Sequence, residues 1–198
     1  MKSLRLVLLG TFHASDASGR GIAIAGTKAT LLLAYLALRP GQHPREKLIG
    51  LLWSDRGDTQ ARGSFRQALW SLSRSLEKLR PQPLLVDGEL ISLDPEVVET
   101  DVAKLEALVR EGTPQALLSA VGLYGGELLS GFRVRDSTYH DFITGERARL
   151  HELAVDACAK LLDYQLKTGL TGPAVETAKR FLEIDPLQEV AHRTLMQQ

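Results

Sequence analysis

Between Thr59 and Arg80 the chain reads TQARGSFRQALWSLSRSLEKLR, with five basic residues and one acidic residue. Arginine presents a planar fork of N–H donors that fits phosphate or guanine, glutamine can bond adenine at two atoms, and serine can bond either. Such a set performs no covalent chemistry; it holds polyanions and reads patterns of donors and acceptors. If the segment is helical, Phe65, Leu69, Leu72, Leu76 and Leu79 recur at intervals of 4, 3, 4 and 3 and make one apolar stripe. Turning about 100° per residue, the opposite face carries Gly63, Arg66, Gln67, Trp70, Ser71, Arg74 and Lys78. Arg66, Gln67, Ser71 and Arg74 form the expected working surface, with Arg62 and Lys78 as phosphate contacts. A solvated charged face is the plain alternative. For Trp70 two readings stay open, contact with DNA or packing at a domain interface.

Further cations stand near the starts of two expected helices: Lys28 in the first, Arg45 and Lys47 in the second. Helix starts favour anions through their free N–H groups, so cations there hint at an anion nearby, ordinary surface charge being the alternative. Elsewhere, candidate chemistry thins out. The five histidines lack metal-ligand spacing and Cys158 has no partner cysteine, so no metal and no internal disulfide is expected. GTKAT resembles a phosphate-binding loop only superficially. No nucleophile, base and orienting group assemble into a catalytic set, and no cofactor and no enzymatic activity are expected.

These residues need positioning elements. LRLVLLGTF reads as a strand, SDASGRG as a turn and GIAIAG as a return strand. Thr27 is a candidate N-cap for an apolar helix that Pro40-Gly41 stops, and a second helix runs from Pro44 or Arg45 to Trp53. Asp58 or Thr59 caps the third, which Pro81 and Pro83 end. Leu84–Val86 and Leu90–Leu93 flank Asp87-Gly88, the signal of a tight hairpin with Gly88 at its tip. That tip is acidic, whereas wings that enter a minor groove commonly carry arginine or lysine. Trp53 closes an apolar helix and is expected in the core. A helix with a packed back and a basic front, followed by a two-stranded ribbon, is the layout of a winged-helix DNA reader. Residues 97–100 are expected to link to a second module.

From Asp101 the texture becomes helices punctuated by Gly and Pro: DVAKLEALVRE, PQALLSAVGLY, a long helix over 139–167, AVETAKRFLEI after Pro173, and a last one from Asp185-Pro186. Antiparallel pairs at this spacing suggest a tetratricopeptide-like array. Leu153, Ala157, Leu161 and Leu162 are expected to pack against Ala174, Ala178, Phe181 and Leu182.

A chain of 198 residues with 44% hydrophobic content can bury one large core or two small ones. Net charge is zero, but residues 1–96 hold 13 Lys+Arg against 9 Asp+Glu, while residues 97–198 hold 11 against 15. The first half is thus suited to phosphate and the acidic second half to a basic protein surface. The longest apolar run, TLLLAYLAL, is well short of the roughly 20 residues that span a membrane. With no export signal at the start and a single cysteine, a cytoplasmic location is expected.

In order along the chain, LRLVLLGTF, GTKATLLLAYLAL, HPREKLIGLLWSD, ARGSFRQALWSLSRSLE and DGELISLDPE resemble the DNA-binding module of the Streptomyces antibiotic regulatory protein family. DVAKLEALV, GELLSGF, FITGERARLHEL and LEIDPLQEVAHRTLM are similar to the activator domain that follows it there. The resemblance spans nearly the whole chain. It implies an OmpR-type winged helix over 1–96 and a helical, tetratricopeptide-like bacterial transcriptional activator domain over 97–198, cut short at its C-terminal end. It also implies a mainly α fold with a small β component, and a transcriptional activator whose partners are promoter repeats in double-stranded DNA and RNA polymerase, with a homodimer on DNA. Trp70 departs from the small polar residue expected at its position. The competing reading is an interaction scaffold whose winged helix does not read DNA, with Trp70 buried against the helical domain or another subunit.

Overall fold

The computed structural model describes residues 2–133 and 136–196. Strand β1 (Leu4–Val7) buries Leu4 and Leu6 and exposes Arg5 and Val7, the alternation of a one-sided sheet. It pairs antiparallel with β2 (His13–Asp16), so the return strand is HASD and not the expected GIAIAG. Asp16 accounts for the difference. Its Oδ1 accepts from the Ser18 and Arg20 amides at 2.8 and 3.0 Å, and the chain curls so that residues beyond it meet β2 through one bridge, Ser15 to Gly21.

Helix α1 (Thr27–Leu38) is buried without interruption from Ala29 to Leu36, which is why its sequence is apolar on every face. Gly26, not Thr27, is its N-cap, and no side chain caps it. After β3 (His43–Pro44) come α2 (Arg45–Leu52) and α3 (Asp58–Leu76). The α-helical part of α3 stops a turn before the expected Arg80, and the Leu79 amide bonds Leu76 O in a tighter turn. Strands β4 (Leu84–Asp87) and β5 (Leu90–Leu93) pair with Asp87 opposite Leu90. The turn is therefore Gly88-Glu89, and Gly88 adopts φ 55°, a value glycine reaches at little cost. β3 adds to β5, making a three-stranded sheet of order β3-β5-β4 where two strands were expected. Helices α1 to α3 with this sheet form a winged helix.

Residues 97–100, expected to be a linker, contain β6 (Val98–Thr100), which lies parallel to β1 and completes a sheet of order β2-β1-β6. Five helices follow among the described residues: α4 (Asp101–Glu111), α5 (Pro114–Leu123), α6 (Ser137–Lys167), α7 (Thr171–Ile184) and α8 (Glu189–Met196). Thr100 and Thr113 cap α4 and α5, their hydroxyls accepting from the Ala103 and Ala116 amides at 3.0 and 3.2 Å. Consecutive helices pack in order, with Ala157, Leu161 and Leu162 of α6 and Ala174, Ala178 and Phe181 of α7 buried, and with Leu153 and Leu182 partly buried beside them. Small side chains at this seam let the helix axes approach. No helix among the described residues is long and apolar enough to cross a membrane.

The two modules share one core, continuous from Leu4 to Ala191. Several contacts join them. The buried Asp101 carboxylate, at the start of α4, accepts from the amides of Leu8 at 2.9 Å and Leu9 at 2.8 Å as well as from Val102. Burial pushes its carboxyl above the usual carboxylate range, against the pull of those N–H groups. The segment 127–130 runs along 8–11, with Leu129 N donating to Leu8 O and Ser130 N to Gly10 O, each at 2.8 Å. A Cβ on Gly125 would stand 2.9 Å from Leu9 O, so this close approach needs a glycine. Arg147 of α6 braces the strap by donating to the carbonyls of Leu128 and Leu129. Finally, the Tyr139 hydroxyl donates to Leu31 O at 2.9 Å, and Arg39 at the end of α1 meets the buried Glu146 at 2.6 Å.

Candidate nucleic-acid interface

Helix α3 turns Ala61, Phe65, Ala68, Leu69, Leu72 and Leu76 inward, one side of an amphipathic cylinder. Phe65 sits edge-on to Trp53, ring centroids 5.8 Å apart, so the core expectation for Trp53 holds. The outward side carries Arg62, Arg66, Gln67, Trp70, Arg74 and Lys78, all exposed, with Ser71 partly buried at its edge. Arg66, Gln67 and Lys78 make no side-chain hydrogen bond or ion pair with other described residues. Their donors are open to a ligand.

The remaining members are engaged to different degrees. Arg62 pairs with Glu46 of α2 at 2.6 Å, but both side chains are more than half exposed. Such a pair contributes about 0–1 kcal/mol and exchanges easily for a phosphate. Arg74 meets Glu77 one turn on at 3.1 Å, in a similarly exposed pair. Ser71 is more committed: its hydroxyl donates to Ala25 O at 2.6 Å, tying α3 to the segment before α1 and leaving its lone pairs as the free capacity.

Beside α3 the start of α2 faces the wing. The Arg45 amide donates to Glu89 O at 2.9 Å and its Nε to Gly88 O at 3.0 Å, which pins a guanidinium next to the acidic tip. Lys47 is exposed and without a partner among the described residues. Arg45, Arg62 and Arg66 together with Glu46 and Glu89 line a cleft of about 340 Å³ between wing and helix.

One expectation changes, and one of the two readings of Trp70 closes. Lys28, expected beside an anion, turns its ammonium to Asp136 at the entry to α6 and to Leu52 O at 2.5 Å, and it stands 5.4 Å from the Trp53 ring centroid. It joins the two modules and is withdrawn from the interface. Trp70 does not pack on the helical domain: it is 67% exposed, at the middle of the outward stripe. Arg56, in the loop before α3, was not singled out from sequence. It donates to Ser64 Oγ at 2.9 Å and lines the same hollow as Gln67 and Ser71; a lone arginine in a polar loop gives no periodic signal.

Among the described residues no cluster of three or more His, Cys, Asp or Glu side chains could hold a metal ion. Cys158 is buried at the α6–α7 seam, where burial pushes its thiol up to about 11.

The family model described as the bacterial transcriptional activator domain matches residues 93–197. Among curated proteins, none matches the sequence significantly. A solved structure of Mycobacterium tuberculosis EmbR, in complex with a low affinity phosphopeptide, is similar in fold, with a TM-score of 0.75 and 18% identity. That similarity covers 100% of this chain and 54% of that one, so this chain spans about half of EmbR's length.

Proposed function

The chain belongs to the bacterial transcriptional activator domain family, and from this premise we propose that it is a sequence-specific DNA-binding regulator of the Streptomyces antibiotic regulatory protein type, its first module an OmpR-type winged helix over 1–96. The observation that carries the reading is the outward face of α3, where Arg66, Gln67 and Arg74 present donors without a strong internal partner on a helix fixed from behind by the core. A helix of this width enters the major groove, where an arginine fork matches guanine O6 and N7 and a glutamine amide matches adenine. Arg62, released from Glu46, and Lys78 would hold phosphates on either side, and Arg45 and Lys47 would do so from the start of α2. The wing, acidic at Asp87 and Glu89, would lie against the backbone through Arg45 and the open Gly88 turn and stay out of the minor groove.

The helical module carries the excess acid of residues 97–198, 15 Asp+Glu against 11 Lys+Arg, and would offer it to a basic surface of RNA polymerase. Cytoplasmic action on repeated promoter sites, with a second copy on the adjacent repeat, completes the reading. The test is selection of bound duplexes from a random pool, followed by titration with the Arg66→Ala/Arg74→Ala protein. Two lost contacts of about 1 kcal/mol each multiply to roughly a 30-fold weaker affinity. Unchanged affinity in the double variant would remove α3 from the role of reader.

A further inference from the structure

Trp70 is the one large side chain of the α3 stripe that the basic, donor-rich chemistry of its neighbours leaves unexplained. It is 67% exposed, with Arg66 one turn before it and Arg74 one turn after it on the same face. Gly63, two turns earlier on the stripe, has nothing within 4 Å of where a Cβ would stand. On the other side the indole walls a shallow cleft of about 500 Å³ with Ser73, Arg74, Glu77, Arg80 and Gln82. A wide apolar ring therefore projects at the centre of the surface that would meet the groove, between two guanidiniums that would hold it in register.

We infer that Trp70 is a specificity residue that reads thymine. This deepens the DNA-reading proposal and rests on it. The major-groove edge of a base pair offers a single apolar feature, the thymine C5-methyl, with the O4 acceptor beside it. Indole offers the complement, an apolar face and one N–H donor with no acceptor. Guanine and cytosine give the ring no methyl, and adenine's exocyclic amine presents a donor that the indole cannot accept. A tryptophan here selects T over the other three bases by burying a methyl-sized group, where arginine or glutamine would select by paired hydrogen bonds.

The protein is built for the measurement. Its two tryptophans differ fully in access, Trp53 being 2% exposed, so acrylamide quenching reports Trp70. Using a duplex selected from the random pool, each thymine is replaced in turn by deoxyuridine, which lacks only the methyl. Wild-type protein is expected to lose about fourfold in affinity at one position of the half-site, the value of one buried methyl-sized group. Trp70→Ala should bind more weakly and be indifferent to uridine at that position, while Trp70→Phe keeps the sensitivity. Acrylamide quenching should fall on addition of the duplex. If the duplex binds and quenching is unchanged, or if no single uridine matters, or if the alanine variant retains the same uridine penalty, the assignment is wrong while DNA reading stands. Quenching that falls with protein concentration in the absence of DNA would place Trp70 in a protein contact and overturn it likewise. If selection yields no duplex, both the inference and the function on which it rests fail.

Discussion

Replacing Asp101 by alanine tests the account of how the two modules are held together. The carboxylate accepts from the amides of Leu8, Leu9 and Val102 at 2.8 to 2.9 Å. Without it, the Leu8 and Leu9 amides are left in a buried setting with no acceptor, each at a cost of about 1–3 kcal/mol. Part is returned because a charge no longer has to be kept out of water. The net loss should be about 2–4 kcal/mol, and Asp101→Asn, which keeps one acceptor oxygen, should recover about half. Urea unfolding followed by circular dichroism gives the loss, and amide hydrogen exchange locates it. The Leu8 and Leu9 amides should lose protection more than those of α7. The titration sign follows from the raised carboxyl: ionisation is penalised in the folded state, so the penalty is present above the raised value and vanishes as pH falls toward 3.8. The wild-type advantage over the alanine protein should therefore not shrink between neutral pH and the raised value. A destabilisation below about 0.5 kcal/mol with Leu8 and Leu9 still protected would refute the reasoning.

Two further outcomes are expected. Glu146 is buried, which alone would raise its carboxyl, but hydrogen bonds and charge from Arg149 and Arg39 outweigh this and hold it below the usual 4.5. Its contribution is thus present above 4.5 and lost as pH falls through the lower folded value, so the stability difference between wild type and Glu146→Gln should close in that acidic window, as measured by urea midpoints at a series of pH values. Lys28→Ala should destabilise by about 1–3 kcal/mol, because it strips the partner from Asp136, yet leave the salt dependence of DNA affinity unchanged, while Arg45→Ala should lower the slope of log K against log salt by about 0.9. Equal slopes for the two variants would erase the distinction between the joining and the phosphate-facing cation.

The local features were legible before the structure. Intervals of four and three wrote α3, Asp87-Gly88 marked the hairpin one residue ahead of its actual turn, and the punctuation by Gly and Pro wrote the break between α4 and α5. The outward placing of Arg66, Gln67, Trp70 and Arg74 followed from the same arithmetic. What was hidden depends on partners far away in the chain. Val98 becomes a strand because Leu4 lies beside it, and His43-Pro44 because Ile91 and Leu90 do. The partner of Lys28 lies 108 residues further on, and nothing at Lys28 itself distinguishes an ammonium bound for Asp136 from one bound for phosphate. GIAIAG failed for a local reason that pattern alone underweights, the Asp16 turn that bends the chain away.

The completion of the first sheet by β6 and the strap has a consequence for synthesis. A ribosome that has released residues 1–96 has delivered α1 to α3 and the wing, but not Val98–Thr100, which lies along β1, nor the carboxylate that receives the Leu8 and Leu9 amides, nor the strap residue Glu127, whose carbonyl receives the Gly10 amide. The open edge of β1 must wait, unpaired, until Val98–Thr100 emerge, and the segment 8–11 that follows it must wait for about thirty more residues, a few seconds or less at ordinary elongation rates. Cutting the gene between the modules would make that wait permanent and leave a bare strand edge as a template for another chain.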